Sequence, residues 1–487
     1  MPVPSVMPIS VSNVEFFLRD LHLRTPFRYG IVTMTRVPHL IVRLSLAIDG
    51  RPQFGFAADQ LPPKWFTKDP STSFYDDLTD MLEVIRRAGE LARALPAQKT
   101  VFALWRELYA AQRAWAKERR VPPLLAGFGV SLMERAVIDA FCRATTQPFA
   151  QAVRENTLGV ELGVVYPELA STVPSDFLPP QPPRSVIVRH TVGLADPLED
   201  ADIDEAHRVN DGLPQSFEEF IRVHGLTHFK IKLGGDIEES RARLHRIVEL
   251  IRNNAESCAF SLDGNENYHS VAPFRELWET FRADPIIGEF LGRLLWVEQP
   301  FHRDIALSEK TAGELRAWKD RPPFIIDESD SGTGVLAEAL EAGYAGASHK
   351  NCKGVFSGLA NACLIAHRNR ANPSAPPLLL SSEDLTNLGP VALPQDIALA
   401  ATLGITNLER NGHHYFAGLS EFPEEIQRAA LRKHGDLYAR HPDGFPMVRI
   451  QEGRIQIGSL IDAPFGVDFE PDLTHLTPLA DWTYESY

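Results

Sequence analysis

The chain has 487 residues, and 49 Lys+Arg against 64 Asp+Glu leave a formal net charge of −15. Hydrophobic residues make up 44% and charged residues 23%, the balance of a soluble globular protein with a large core, so wholesale disorder is excluded. Such acidity argues against a protein working mainly on nucleic acid or anionic membranes, and no apolar run of about 18 residues offers a membrane span. The four cysteines, Cys142, Cys258, Cys352 and Cys363, form no CxxC pair. They suggest neither a zinc site nor a disulfide framework, which fits reduced thiols in a cytoplasm. The N-terminus, MPVPSVMPISVSNVEFF, lacks the basic start and long apolar run of a signal peptide.

The first segment reads as strands and turns. Leu40–Ile48 is apolar and β-branched and stops at Asp49-Gly50, a hairpin turn pair. Helices follow over Asp77–Leu95 and Val101–Glu118, where apolar residues recur at three- and four-residue spacing. Leu132, Ala136, Val137, Ala140 and Phe141 make another helical stripe that ends before Gln147-Pro148. The Pro-rich stretch 173–183 is a linker, so the expected division is 1–175, 184–420 and 421–487.

Beyond the linker, short apolar runs alternate with helical segments. The runs are Val186–Val192, Phe229–Leu233, Ala259–Asp263, Leu294–Glu298, Phe324–Asp327, Ala345–Lys350, Leu378–Ser382 and Thr406–Arg410. Helices are expected over Ile237–Ile251 and at 305–318, 334–342, 356–368 and 392–403. Eight strand–helix units predict an α/β protein with a (β/α)8 barrel, a doubly wound open sheet being the alternative. The segment FPMVRIQEGRIQIG after about 425 predicts a β-hairpin around Glu452-Gly453, returning to the N-terminal layer.

Parallel strands buried on both faces should be apolar throughout. Charges at their C-terminal ends break that rule, and in a barrel those ends form the site. Lys230 and Lys232 alternate with apolar neighbours and share one face. By themselves they also suit a solvated edge strand. Asp263, with Asn265, suits a turn, Glu298 a loop start, and Asp327 a helix N-cap. Together, Asp263, Glu298 and Asp327 end three successive runs, and closing a barrel makes those ends converge. Three bare carboxylates repel unless a cation sits among them. A hard divalent ion answers this, Mg²⁺ (or Mn²⁺), which keeps positions open for substrate oxygens. Lys350 ends the next run, on the face of Ser348 and Cys352, with Lys353 on the other parity or in the loop.

That arrangement suits removal of a proton next to a carboxylate. The enediolate formed bears two negative charges, which a metal offsets. A lysine serves as base if its pKa falls towards about 7–8, as a neighbouring cation such as Lys230 would encourage. A second lysine opposite could return a proton or assist a leaving group.

These motifs carry a resemblance. Lys230-Ile231-Lys232, Asp263-Gly264-Asn265, the VEQP of Val297–Pro300, the DES of Asp327–Ser329, Lys350–Gly354 and the helix Glu134–Phe149 occur in order. Residues 130–420 resemble the enolase superfamily, in particular its muconate lactonizing enzyme-like branch, grouped with mandelate racemase. The resemblance implies a modified barrel capped by an α+β domain from the N-terminal part and the C-terminal tail. It implies Asp263, Glu298 and Asp327 as ligands of Mg²⁺, Lys232 as general acid/base, Lys230 assisting it, and Lys350 as the opposite-face acid/base. A mobile loop at about Leu23–Thr35, a small carboxylate substrate and a homo-oligomer are also implied. The implied reaction is racemisation or epimerisation, dehydration or cycloisomerisation.

The chain departs from the family in places. Gly55-Phe56-Ala57-Ala58 stands where Gly-x-Gly-Glu is usual, Gly354-Val355 replaces a double glycine, and 196–213 and 279–293 look inserted. Ser381-Ser382-Glu383-Asp384 lacks the histidine of a mandelate racemase-type pair, favouring the two-lysine branch. His413 and His414 are either substrate contacts or loop histidines. Two competing readings are a Schiff-base lyase on Lys232 or Lys350 and a non-catalytic binding homologue that kept the barrel.

Overall fold

A computed structural model describes residues 7–255 and 257–484. The remaining residues, including the first six of the N-terminal segment and the last three of the tail, lie outside the described residues. The chain opens with an antiparallel sheet of β1 (Ile9–Tyr29), β2 (Val32–Ile48) and β3 (Arg51–Gln60). The turn between β2 and β3 has positive φ at both Asp49 and Gly50, the conformation a two-residue hairpin requires. Three helices cover the sheet: α1 (Phe74–Ala94), α2 (Val101–Arg119) and α3 (Pro123–Thr145). Ser73 starts α1 with a reciprocal capping box to Asp76. At Gly55, α3 crosses β3 so closely that a Cβ would stand 2.1 Å from the Ala136 carbonyl oxygen. The glycine of the unusual Gly55-Phe56-Ala57-Ala58 stretch is therefore a packing residue.

Eight parallel strands follow: β4 (Ser185–Val192), β5 (His228–Lys232), β6 (Ala259–Asp263), β7 (Leu294–Glu298), β8 (Phe324–Ile326), β9 (Gly346–His349), β10 (Leu379–Ser382) and β11 (Asn407–Arg410). They pair in sequence order, and β11 pairs in parallel with β4 from Asn407↔Ile187 to Arg410↔His190. The sheet is therefore a closed barrel and not a doubly wound open sheet. Helices such as Ile237–Asn254 and Val355–Ala371 connect the strands. The expected helix at 305–318 is two pieces, Arg303–Ala306 and Glu309–Ala317.

Buried charge ties the cap to itself and to the barrel. Arg135 of α3 is fully buried and reaches Asp59 at 2.8 Å and the Ala58 carbonyl at 2.8 Å. Glu134 accepts from the Phe356 N–H at 2.7 Å, at the start of the helix behind β9. A helix N-terminus favours a carboxylate, but burial pushes this one up to about 8.

Two expectations are corrected. The Leu23–Thr35 segment is mostly strand: Phe27↔Met34, Arg28↔Thr33 and Tyr29↔Val32 pair, with a register shift after His22. The hairpin expected around Glu452-Gly453 keeps its turn, with positive φ at both residues and a Gln451↔Arg454 bridge. Its arms part, however. Pro446–Val448 pairs with Tyr438–Arg440, and Arg454–Gln456 adds antiparallel to β4 of the barrel. The tail pairs with the cap sheet at Thr477–Pro478, beside β1, and Glu421 accepts from the His22 N–H at 2.8 Å.

Candidate active site

Register brings the charged strand ends together. Lys232 pairs with Asp263 across β5–β6, and Asp263 with Glu298 across β6–β7, giving one row over three strands. Asp327 lies one residue beyond β8. β5 and β9 stand four strands apart in a ring of eight, so Lys232 and Lys350 approach the barrel mouth from opposite sides. Lys230, Lys232, Asp263, Asp327 and Lys350 all line one cleft under the cap.

The acids and amines interleave. Lys230 Nζ lies 2.8 Å from Glu298, 2.8 Å from Glu383, 3.1 Å from Asp263 and 3.1 Å from Glu409. Lys232 donates to Asp263 at 2.6 Å. Lys350 pairs with Asp327, lies 3.9 Å from Glu298, and sits 5.0 Å from the ring centre of Trp65. Lys353, expected on the other parity or in the loop, curls back through a short turn to 2.8 Å from Asp327. Beneath them, fully buried Arg189 donates to Glu383 at 2.6 Å and to Ser381 at 2.8 Å, over Trp296. Five carboxylates thus meet five cations.

Burial opposes charge on Lys230, yet Glu298, Glu383, Glu409 and Asp263 hold it well above the usual lysine range. Burial opposes charge on Lys350 too, but Asp327, with Glu298 and Glu409, raises it. At both amines the surrounding carboxylates stand closer than any neighbouring amine. Burial is outweighed at Asp327 by Lys350 and Lys353, and at Glu383 by Arg189 and Lys230, so both acids sit low. Glu298 is pushed up by burial and by Glu383.

Among the described residues, no three His, Cys, Asp or Glu side chains are arranged as they stand to hold a metal ion. The amines bridge the acids instead. The donor chemistry of Asp263, Glu298 and Asp327 nevertheless suits a hard divalent ion. Glu298 Oε2 is a buried oxygen with no hydrogen-bond partner among the described residues, although the Lys230 ammonium lies 2.8 Å away. That oxygen faces positive charge without an aligned donor, a feature compatible with a cation ligand.

His413 and His414 do not line this cleft. His413 packs 3.1 Å from His190 and faces a separate, mostly apolar cavity with Leu213 and Met447. Sequence reasoning missed Arg189, Lys353, Glu383 and Glu409. Glu383 and Glu409 carried the same signal as the recognised acids, a carboxylate where an apolar run ends, and Arg189 breaks the apolar run of β4.

No protein-family model and no curated protein sequence matches the chain. Solved structures do. A mandelate racemase/muconate lactonizing protein from Herpetosiphon aurantiacus aligns with TM-score 0.57 at 17% identity, covering 96% of this chain and all of that one. An enolase from Bradyrhizobium, complexed with magnesium and mandelic acid, gives 0.54 at 15% over 93% and 94%. The N-succinyl Arg/Lys racemase from Bacillus cereus gives 0.55 at 15% over 93% and 98%. At such identities the likeness shows the fold: the chain has the capped barrel of enolase-superfamily proteins.

Proposed function

We propose that the chain is a Mg²⁺-dependent enzyme that removes the proton α to a carboxylate, through an enediolate, as a racemase or epimerase, dehydratase or cycloisomerase. The observation that carries this reading is the pair of cleft-lining amines, Lys232 on β5 and Lys350 beyond β9, on opposite sides of the row Asp263, Glu298 and Asp327. Those three acids would hold the metal. When bound, it supplies positive charge that offsets the second negative charge of the enediolate. The magnesium bound in the Bradyrhizobium structure of the same fold supports this choice of ion.

The chain's own groups divide the remaining work. Lys232 takes the proton on one side of the α carbon. Lys350, held as an ammonium by Asp327, delivers one on the other. Lys230 is boxed by four carboxylates and serves as fixed charge beneath the reacting carboxylate. Its lack of freedom argues against a proton-shuttling role. At Lys350 a Schiff base, which needs an unprotonated amine, is opposed by the pairing with Asp327.

Deuterium wash-in from D₂O at the α carbon of candidate acids tests the class. Exchange should stop with EDTA and fall by about 10²–10⁴ in Lys232→Ala. Exchange that persists without metal contradicts the proposal.

A further inference from the structure

The cleft has two unlike halves. Its floor is the charged cluster. Its roof, supplied by the cap, is apolar: Phe27, Met34 and Trp65 are buried there beside Pro62 and half-buried Tyr29. The Tyr29 hydroxyl is spent on the Pro63 carbonyl at 2.8 Å. Both lysines of the roof are already engaged, Lys64 with Thr72 and Asp77, and Lys68 with the Asn265 carbonyl and, at 3.8 Å, Glu266. A ligand charge carried up to this roof, of either sign, finds no free partner among the roof's own side chains and loses its water.

The roof is also tied down. Arg24, on the hairpin that bears Phe27 and Tyr29, grips both oxygens of Asp211 and donates to the His414 carbonyl at 2.9 Å and the Pro214 carbonyl at 3.2 Å. Phe27 stacks on Tyr415 with ring centres 4.2 Å apart.

Between floor and roof, two buried acceptors line the cleft without a hydrogen-bond partner among the described residues. Asn265 Nδ2 donates to Asp263 at 2.8 Å, which fixes the amide and leaves its Oδ1 over. Glu328 Oε2 is the second. Buried acceptors are nearly always paired, so the missing partner is a donor brought by the ligand or by water.

We infer that the cleft takes a small monocarboxylic acid whose far end is apolar and uncharged and which carries a hydrogen-bond donor, a hydroxyl or amino group, near the carboxylate. The cleft is narrow and open at its mouth, which suits a small molecule and not a polymer. This inference rests on the proposed function for the carboxylate's place on the floor.

Calorimetric titration of the full-length protein in magnesium, with α-proton exchange measured on the same ligands, tests it. The probes are 2-hydroxy-4-methylpentanoate, its deoxy analogue 4-methylpentanoate, 2-hydroxyglutarate and 2-hydroxy-5-guanidinopentanoate. The first should bind about tenfold or more tightly than each of the others. Met34→Arg should move the preference towards 2-hydroxyglutarate. Equal or tighter binding of either charged acid by the unsubstituted protein overturns the apolar assignment. Undiminished binding of the deoxy acid overturns the donor, and absence of binding by all four overturns the inference whole. Selective binding of the first probe without exchange upholds the inference and removes the proton-abstraction reading. The probe series on the unsubstituted protein decides even if the variant does not fold.

Discussion

Glu383 is fully buried and neutralises two cations at once, Arg189 at 2.6 Å and Lys230 at 2.8 Å. In Glu383→Ala, Lys230 keeps Glu298, Glu409 and Asp263. Among the described residues Arg189 keeps neutral partners, the hydroxyls of Ser261 and Ser381, the Ser382 carbonyl, the Asn407 side chain at 3.2 Å and the Trp296 ring. One buried positive charge is then unmatched, and removing one member of a buried pair costs about 3–5 kcal/mol. Glu383→Gln keeps the shape and an acceptor, so its cost should be nearer about 1.5–3 kcal/mol, the worth of a hydrogen bond to a charged group. At about 2.1 cal/mol/K per residue, a chain of 487 residues loses about 1 °C of Tm per kcal/mol, so Glu383→Ala should melt about 3–5 °C lower. Calorimetric scans at one fixed rate measure this. Adding Arg189→Met removes the stranded charge, so the double variant should cost about 2 kcal/mol or more less than the sum of the singles. A Glu383→Ala protein within about 1 kcal/mol of the parent, or an additive double variant, would refute the charge-matching account.

His39 is buried in β2 with both ring nitrogens lacking a hydrogen-bond partner among the described residues, and burial lowers its pKa from 6.5 to about 3. The unfolded chain therefore gains a proton below about pH 6.5 that the folded one refuses, and stability falls on acidification, by about 2 kcal/mol at pH 5 from this group. His39→Phe should remove that share of the difference between urea midpoints at pH 7 and pH 5, and an unchanged difference would count against it. In Gly55→Ala the new Cβ would stand 2.1 Å from the Ala136 carbonyl and 2.5 Å from the Ala140 nitrogen, both backbone atoms, so a loss of about 1–3 kcal/mol or more is expected by thermal melting. Arg24→Ala frees the β1–β2 hairpin from Asp211, and limited proteolysis should then cut first within 23–35. Cleavage elsewhere at the parent's rate would show that the grip is not what holds the hairpin.

Much of the barrel was legible because a strand buried on both faces has little freedom of composition. Eight apolar runs between amphipathic helices could be counted, and acids at three of their ends stood out as violations. Closure was not legible, since alternation suits an open sheet equally well and only the β11–β4 pairing decides it. The hairpin at Glu452-Gly453 shows the same limit. Two residues of positive φ dictate the turn, but each arm's partner depends on which sheet edge lies within reach.

The candidate site divides along the same line. The sequence by itself determined which side chains could do chemistry, Lys230, Lys232, Asp263, Glu298, Asp327 and Lys350, because charge at the end of a buried strand is costly enough to need a reason. Only the tertiary structure decided how those charges are matched. Glu383, Glu409, Lys353 and Arg189 come from strands and turns far apart in the chain, and their distances, which set the electrostatics of the cluster, exist only once the barrel has closed. The apolar roof is likewise a tertiary fact: Phe27 and Trp65 have the composition of any core residue until the cap places them over the barrel mouth.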